Sequence, residues 1–162
     1  MKKIAILKAY NVFDYILKKN EKNVKYNYLI AINKDKIKSI KEVITEINKP
    51  SKEQNEYQEK RIDLCKKYCD KDDNGNPITT KKDNKEIFSG LENNEEFKKE
   101  FEQLNEDNKG VIEEIENQSK QLSELLEEEE SIEWKKINID LFPNNTETEI
   151  IEFFIEIQLI EE

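Results

Sequence analysis

The residues best suited to chemistry lie in an acidic loop in the middle of the chain. Three oxygen-bearing side chains and a glycine have the spacing of the first half of an EF-hand calcium loop: Asp70, Asp72, Asn74 and Gly75. The twelfth loop position, a bidentate glutamate in calcium loops, is Lys81. Aspartate and asparagine in such a run are also typical of a turn in which side chains bond the backbone. We therefore predict a turn here, and no metal or other cofactor.

Enzymatic chemistry finds little support in the remaining residues. The 162-residue chain has no histidine, the commonest general base and the commonest metal ligand. Serine and cysteine nucleophiles therefore lack a histidine partner, and no glycine-rich phosphate loop is present. Cys65 and Cys69 lie four residues apart on a predicted helix, where a disulfide is geometrically poor. We expect free thiols in a reducing compartment and a protein that is not an enzyme.

Charge divides the chain into a basic beginning and an acidic end. Residues 1–50 carry 12 lysines against 5 acidic residues, and residues 91–162 carry 6 lysines against 23 acidic residues. Phosphate repels such an acidic surface, so we expect a basic protein partner and no direct nucleic-acid binding. The predicted partner-binding residues are Glu113, Glu114, Glu116, Glu124, Glu127, Glu128, Glu129 and Glu130. The alternative interpretation of residues 127–130 is a solvated helix end.

The element that positions these glutamates is predicted by a heptad repeat of apolar residues. Asn108 and Gln118 interrupt the series, which is otherwise apolar at Phe97, Phe101, Leu104, Val111, Ile115, Leu122 and Leu125. Spacings of three and four sustained over four heptads predict one long helix, with Gly110 as its candidate soft point. The glutamates occupy the other faces of this predicted helix. We therefore expect residues 94–130 to form an acidic helical arm that packs against another long helix.

The second long helix is predicted over residues 26–69. Pro50 interrupts it, and Ser51 with Gln54 has the spacing of a capping box, so we expect a kink or a one-residue break. Arg61, the sole arginine, lies on the apolar stripe and is expected to pair with an acid such as Glu100 or Glu102 on the other arm.

The connection between the two arms, residues 70–93, is predicted to contain a β-hairpin. Residues 77–80 and 86–88 would be its strands, with the turn around residues 81–85. Two long helices joined at one end in this way predict an antiparallel hairpin.

The two ends of the chain are predicted to pack together. Residues 3–7 are β-compatible and predict an edge strand, which could pair with a second strand over residues 132–139. Residues 150–160 favour a helix over a strand, because Thr146 and Glu149 have a capping-box spacing.

These elements predict a single domain over residues 1–162. Its fold class is mainly α with a minor β part: a long, coiled-coil-like antiparallel hairpin with a β-hairpin at its turn. The open end, residues 1–25 plus 131–162, would hold short helices and a small β element. No apolar run reaches membrane-spanning length, and the apolar start is too short for a signal peptide. We therefore expect an intracellular protein that does not enter a membrane.

Several short segments, taken in order, resemble a family of small phage and prophage proteins from low-GC bacteria. The segments are residues 3–17, 24–26, 59–61 with Tyr68, 71–76, Phe97 with Leu104, 128–132, 137–141 and 153–155. The chain departs from the family at Pro50 and in its extended acidic arm. The resemblance implies a phage origin and no particular mechanism.

A phage origin and a rigid acidic hairpin lead to two function hypotheses. In the first, the protein is an anti-CRISPR-like inhibitor of a host defence system, acting in the host cytoplasm. Its acidic face would block a basic surface on a host protein or ribonucleoprotein. In the alternative, it is a virion, tail or assembly protein that forms a homo-oligomer through the hairpin.

Overall fold

The computed structural model describes residues 1–19, 23–82 and 85–161. Over these residues the fold is mainly α with a minor β part, as predicted. The elements in chain order are α1 (Lys3–Lys19), α2 (Val24–Ile47), α3 (Lys52–Tyr68), β1 (Thr79–Lys82), β2 (Lys85–Phe88), α4 (Glu95–Asp107), α5 (Lys109–Glu127), a 3-10 helix (Ile139–Leu141) and α6 (Thr148–Glu156). The chain divides into two compact units. The first unit contains residues 1–49 and 120–162, and the second contains residues 50–119.

Helix α1 replaces the edge strand predicted for residues 3–7. Its buried side chains are Ile6, Ala9, Phe13 and Ile16, which recur at spacings of three and four. A helical period sustained over 17 residues outweighs the β-compatible composition of the first seven. The prediction of a strand was wrong because it considered too short a window.

The core of the first unit is formed by α1, α2 and the C-terminal segment. Phe13 lies edge-on to Phe154 of α6 and to Trp134, with ring centroids 5.8 and 5.9 Å apart. The apolar stripe of α2 includes Ile30, Ile37 and Ile44, all of which are buried. Aromatic rings and branched aliphatic side chains thus supply most of the apolar burial that stabilises this unit.

Helix α6 confirms the helix predicted near the C-terminus as far as Glu156, but residues 157–160 lie outside it and its predicted cap is wrong. The helix begins at Thr148 after Glu147, which makes no side-chain capping bond. The Thr146 hydroxyl instead donates to the carbonyl oxygen of Pro143 at 2.7 Å. That hydroxyl therefore stabilises the preceding turn.

The strand predicted over residues 132–139 is absent from the described structure. A single parallel bridge joins Ile137 to Ile160 there, and an antiparallel bridge joins Lys2 to Glu129 near the N-terminus. The buried side chain of Asn33 bonds both backbone groups of Lys135, each at 2.8 Å. An amide side chain thus takes the place that a neighbouring strand would occupy.

The second unit begins with the predicted capping box. Ser51 Oγ accepts from the Gln54 backbone N–H at 3.2 Å, and Gln54 Oε1 accepts from the Ser51 backbone N–H at 3.0 Å. The break before it is longer than predicted, because residues 48–51 all lie outside the helices. The fixed φ of Pro50 and its missing N–H explain why the helix does not continue.

The β-hairpin predicted between the arms is confirmed with shifted boundaries. Strands β1 and β2 pair antiparallel with Thr79 opposite Phe88, and residues 83–84 of the predicted turn lie outside the described residues. Gly90, at φ +82°, closes the base of the hairpin, where an added Cβ would lie 2.3 Å from Asp70 Oδ1. This position requires glycine for both its backbone conformation and its close approach to Asp70.

Helix α3 runs antiparallel to α4 and the beginning of α5. The contacts occur in reversed order: Tyr68 with Phe97, Lys67 with Glu100, Tyr57 with Asn105, and Gln54 with Gln118. This order confirms an antiparallel helical hairpin within the second unit.

The single helical arm predicted over residues 94–130 is two helices, α4 and α5. The break falls at Asn108, which has φ −118° and ψ 22°, and not at Gly110. The Asn108 side chain donates to the carbonyl oxygen of Leu104 at 2.7 Å. This bond competes with the helical ladder, as asparagine side chains commonly do.

Candidate protein-binding surface

Helix α5 carries five of the eight predicted binding glutamates, and the other three follow it directly. The amphipathic sequence of the helix explains their exposure. Its apolar side chains, among them Val111, Ile115 and Leu122, are half-buried on one stripe. All eight predicted glutamates are exposed. The two units divide them into two groups, which differ in their surroundings.

The first group, Glu113, Glu114 and Glu116, lies in the second unit. Within the described part of the chain, no lysine or arginine forms an ion pair with these three carboxylates. Three exposed and uncompensated charges within four residues produce a negative potential that extends about 8 Å into physiological salt. The full charge of this group is therefore available to attract a basic partner.

The second group, Glu124 with residues 127–130, lies in the first unit and is partly neutralised. Lys2 Nζ lies 2.5 Å from Glu127 Oε2, and Lys3 Nζ lies 2.6 Å from Glu128 Oε2. The hydrogen bond from Lys2 to Glu127 raises the pKa of the Lys2 ammonium. Two of the predicted binding carboxylates therefore hold the N-terminus in place.

Backbone bonds strengthen this attachment of the N-terminus. The Met1 amino group donates to the Glu130 carbonyl oxygen at 2.8 Å, and the Glu130 N–H donates back to the Met1 carbonyl oxygen at 2.9 Å. The acidic run at the end of α5 also opposes the helix dipole, and the two lysines offset that cost. The sequence signal for this contact was the basic pair at residues 2–3, whose partner could not be identified without the fold.

Arg61 does not form the predicted ion pair with Glu100 or with Glu102. Lys67 bonds Glu100 instead, at 2.8 Å, and the Tyr68 hydroxyl donates to the same carboxylate at 2.7 Å. The Arg61 guanidinium lies 5.5 Å from the Tyr57 ring centroid and 5.6 Å from that of Phe101. Arg61 therefore packs on aromatic faces in the hairpin, where cation–π attraction stabilises it.

The acidic loop that resembles half of a calcium loop forms a turn in which side chains bond the backbone, as predicted. Asp72 Oδ1 accepts backbone N–H bonds from Asn74 at 2.9 Å and from Asn76 at 2.8 Å. The Asn76 bond is the main reason that the pKa of the Asp72 carboxyl is lowered. Gly75 supplies the left-handed residue of the turn at φ +79°. No group of three or more cysteine, aspartate and glutamate side chains within the described residues has a metal-binding arrangement.

Both thiols in the second unit are free. The Cys69 side chain is buried and donates weakly to the Lys66 carbonyl oxygen at 3.5 Å. Burial raises the pKa of the Cys65 thiol, which keeps it protonated and weakly nucleophilic. The nearby Arg61 charge acts in the opposite direction on Cys65, but burial is the larger influence on its pKa.

Comparison with known proteins assigns no role to these surfaces, so their interpretation depends on their own geometry. No protein-family model, curated protein or solved structure matches the chain. Among the helices of the described residues, none combines the length and apolar character needed to span a bilayer. The resemblance to phage proteins therefore stays a prediction.

Proposed function

We propose that this protein is a non-enzymatic, phage-encoded inhibitor of a host defence system. It acts by placing exposed carboxylates of α5 against a lysine- and arginine-rich surface of a host protein or ribonucleoprotein. The contact would occur in the host cytoplasm and would exclude the nucleic acid or protein that normally occupies that surface.

The observation that carries this proposal is the group Glu113, Glu114 and Glu116. These side chains are exposed, and no ion pair within the described residues compensates them. A helix keeps its carboxylates on a firm backbone, so little conformational freedom is lost when a partner binds. The phage origin in the proposal comes from the sequence resemblance alone.

Charge reversal of the first group tests the proposal. The triple variant Glu113→Lys, Glu114→Lys, Glu116→Lys should leave the fold intact, because all three side chains are exposed. Expressed in a host with active CRISPR immunity, the natural chain should raise the plaquing efficiency of a targeted phage. We expect the variant to reduce that protection by about tenfold or more, since several close charge contacts become repulsive.

A control with the same change of charge separates local contact from net charge. Glu152→Lys, Glu156→Lys and Glu161→Lys also replace three exposed acids, at α6 and beyond. The control should retain full protection. Equal loss in both variants, or no protection by the natural chain, contradicts the proposal. Recovery of the protein from purified phage particles would favour the virion hypothesis instead.

A further inference from the structure

A groove of about 500 Å³ runs along one side of α3 and α4 in the second unit. Each helix contributes four residues in the same pattern of spacing: Lys60, Asp63, Leu64 and Lys67 from α3, and Glu100, Gln103, Leu104 and Asp107 from α4. Residues three, four and seven apart share one face of a helix. The groove therefore has the lining that a packed neighbouring helix would require.

The apolar stripe beside this groove is incompletely covered. Not one side chain of α4 or α5 is buried, and Phe97, Phe101 and Leu104 all keep part of their surface exposed. A pair of helices covers only one side of each stripe. Helical bundles complete the cover with a third or fourth helix, which supplies much of their stability.

The two walls of the groove carry opposite net charges, because two lysines outnumber Asp63 on α3 and two acids face them from α4. Lys60 and Lys67 are seven residues apart on α3, and Glu100 and Asp107 are seven residues apart on α4, so each pair spans about 10 Å. Lys67 and Glu100 bridge the groove at 2.8 Å. Among the described residues, Lys60 and Asp107 form no ion pair.

We propose that this groove is a self-association face, filled by the α3–α4 pair of a second copy of the chain. A two-fold axis parallel to the helices sets the lysine wall of one copy against the acidic wall of the other. Each α3 then runs antiparallel to the α4 of the other copy, and Leu64 and Leu104 from both copies meet at the centre. A two-fold axis across the helices would oppose lysine to lysine, which disfavours that arrangement.

This inference is independent of the proposed host partner and extends beyond it. A dimer formed through the groove would present two sets of α5 carboxylates, because the first group, Glu113, Glu114 and Glu116, does not line the groove. Two sets raise the apparent affinity for any partner that offers two basic sites.

Sedimentation equilibrium of the full chain, from micromolar to millimolar concentration, tests the proposal. Lys60→Glu and Asp107→Lys are the informative variants, since neither removes an ion pair within the described residues. The two-fold symmetry places each substitution at two contacts. We expect each variant to raise the Kd of the dimer by about tenfold.

A mixture of the two variants gives the sharpest result. In the mixed dimer, the new glutamate at position 60 of one variant meets the new lysine at position 107 of the other. At the second contact, the natural Lys60 meets the natural Asp107. Mixing equal amounts should therefore restore the natural Kd to within about twofold. If one variant fails to fold, as judged by circular dichroism, the other variant measured alone still decides the question.

Matched controls lie on the same helices but outside the groove. Lys66→Glu and Glu106→Lys change charge at exposed positions outside the groove and should leave the Kd unchanged. A natural chain that stays monomeric overturns the proposal. So does a dimer that Lys66→Glu weakens as much as Lys60→Glu. A different protein that occupies the groove of a monomeric chain, and is lost in Lys60→Glu, also overturns it.

Discussion

The buried polar residue with the widest structural consequence is Asn33. It lies on the apolar stripe of α2 between Ile30 and Ile37, and its side chain is fully buried. Both its bonds reach the backbone of Lys135, 102 positions away in the chain. Sequence periodicity could place Asn33 on the buried face, but only the fold could supply its partner.

We predict that Asn33→Leu destabilises the protein by about 2 to 4 kcal/mol. The substitution leaves the N–H and the carbonyl oxygen of Lys135 without their part-buried bonds to the Asn33 side chain, and each polar group left unsatisfied away from water costs about 1 to 3 kcal/mol. Urea unfolding followed by circular dichroism measures the change. Asn11→Leu is the matched control, since Asn11 is exposed on α1. A loss below about 1 kcal/mol would mean that water replaces the amide.

Charged residues show the same limit of sequence reasoning. Lys2, Lys3 and Lys67 find carboxylate partners, while Arg61 contacts aromatic rings. Spacing along the chain predicts pairs three or four residues apart on one helix. It cannot choose among the many acids that a folded chain brings within reach of one cation.

At the scale of elements, local signals predicted the helix ends well where no other residue competed for the same polar groups. The Ser51 capping box formed because both its bonds lie within four residues. The box predicted at Thr146 failed because the Pro143 carbonyl oxygen accepts its hydroxyl. The strand predicted over residues 132–139 failed because Asn33, a distant residue, takes the backbone groups of Lys135.

We predict that Ser51→Ala destabilises the second unit by about 1 kcal/mol, the usual worth of an N-cap. Ser51→Asp should retain most of the stability, because its carboxylate also accepts the Gln54 N–H and favours the helix N-terminus. Hydrogen exchange of the first α3 turn measures the effect. Ser119→Ala, exposed within α5, should leave α3 unaffected. Equal exchange in Ser51→Ala and the natural protein would show that the cap contributes nothing.

For the whole molecule, the sequence predicted the fold class and the antiparallel hairpin, which is confirmed within the second unit. Heptad spacing carried that success, because it is a local pattern that specifies a packing partner. The single-domain prediction stays a prediction, since two compact units do not show whether either folds alone.

Ion pairs across the molecule predict how its stability depends on pH. The bond from Lys18, then that from Lys34, lowers the pKa of the Asp14 carboxyl to about 2. Bonds from Lys67 and Lys19 similarly lower the pKa values of Glu100 and Glu147. A carboxyl with a lowered folded pKa binds fewer protons when folded, so its stabilisation is present above about pH 4 and lost as the pH falls through the folded value.

The lysine partners of these carboxylates set the upper pH limit of the stability, because their pKa values shift in the opposite direction. The pKa values of Lys19, Lys34 and Lys67 are raised, chiefly by the hydrogen bonds to Glu147, Asp14 and Glu100. Their stabilisation is complete below about pH 10 and is lost as the pH rises through the folded values. We therefore predict a Tm that is nearly constant from about pH 5 to about pH 9 and falls on both sides.

Asp14→Asn gives this prediction a specific readout. The substitution removes the ion pairs with Lys18 and Lys34, so its Tm should lie below that of the natural protein at neutral pH. Between about pH 4 and about pH 2 the natural protein loses the same pairs by protonation, and the two Tm values should converge. Asp35→Asn, at an exposed position outside these pairs, should show no such convergence. A gap between Asp14→Asn and the natural protein that is constant down to pH 2 would mean that packing, and not ionisation, carries the effect of Asp14.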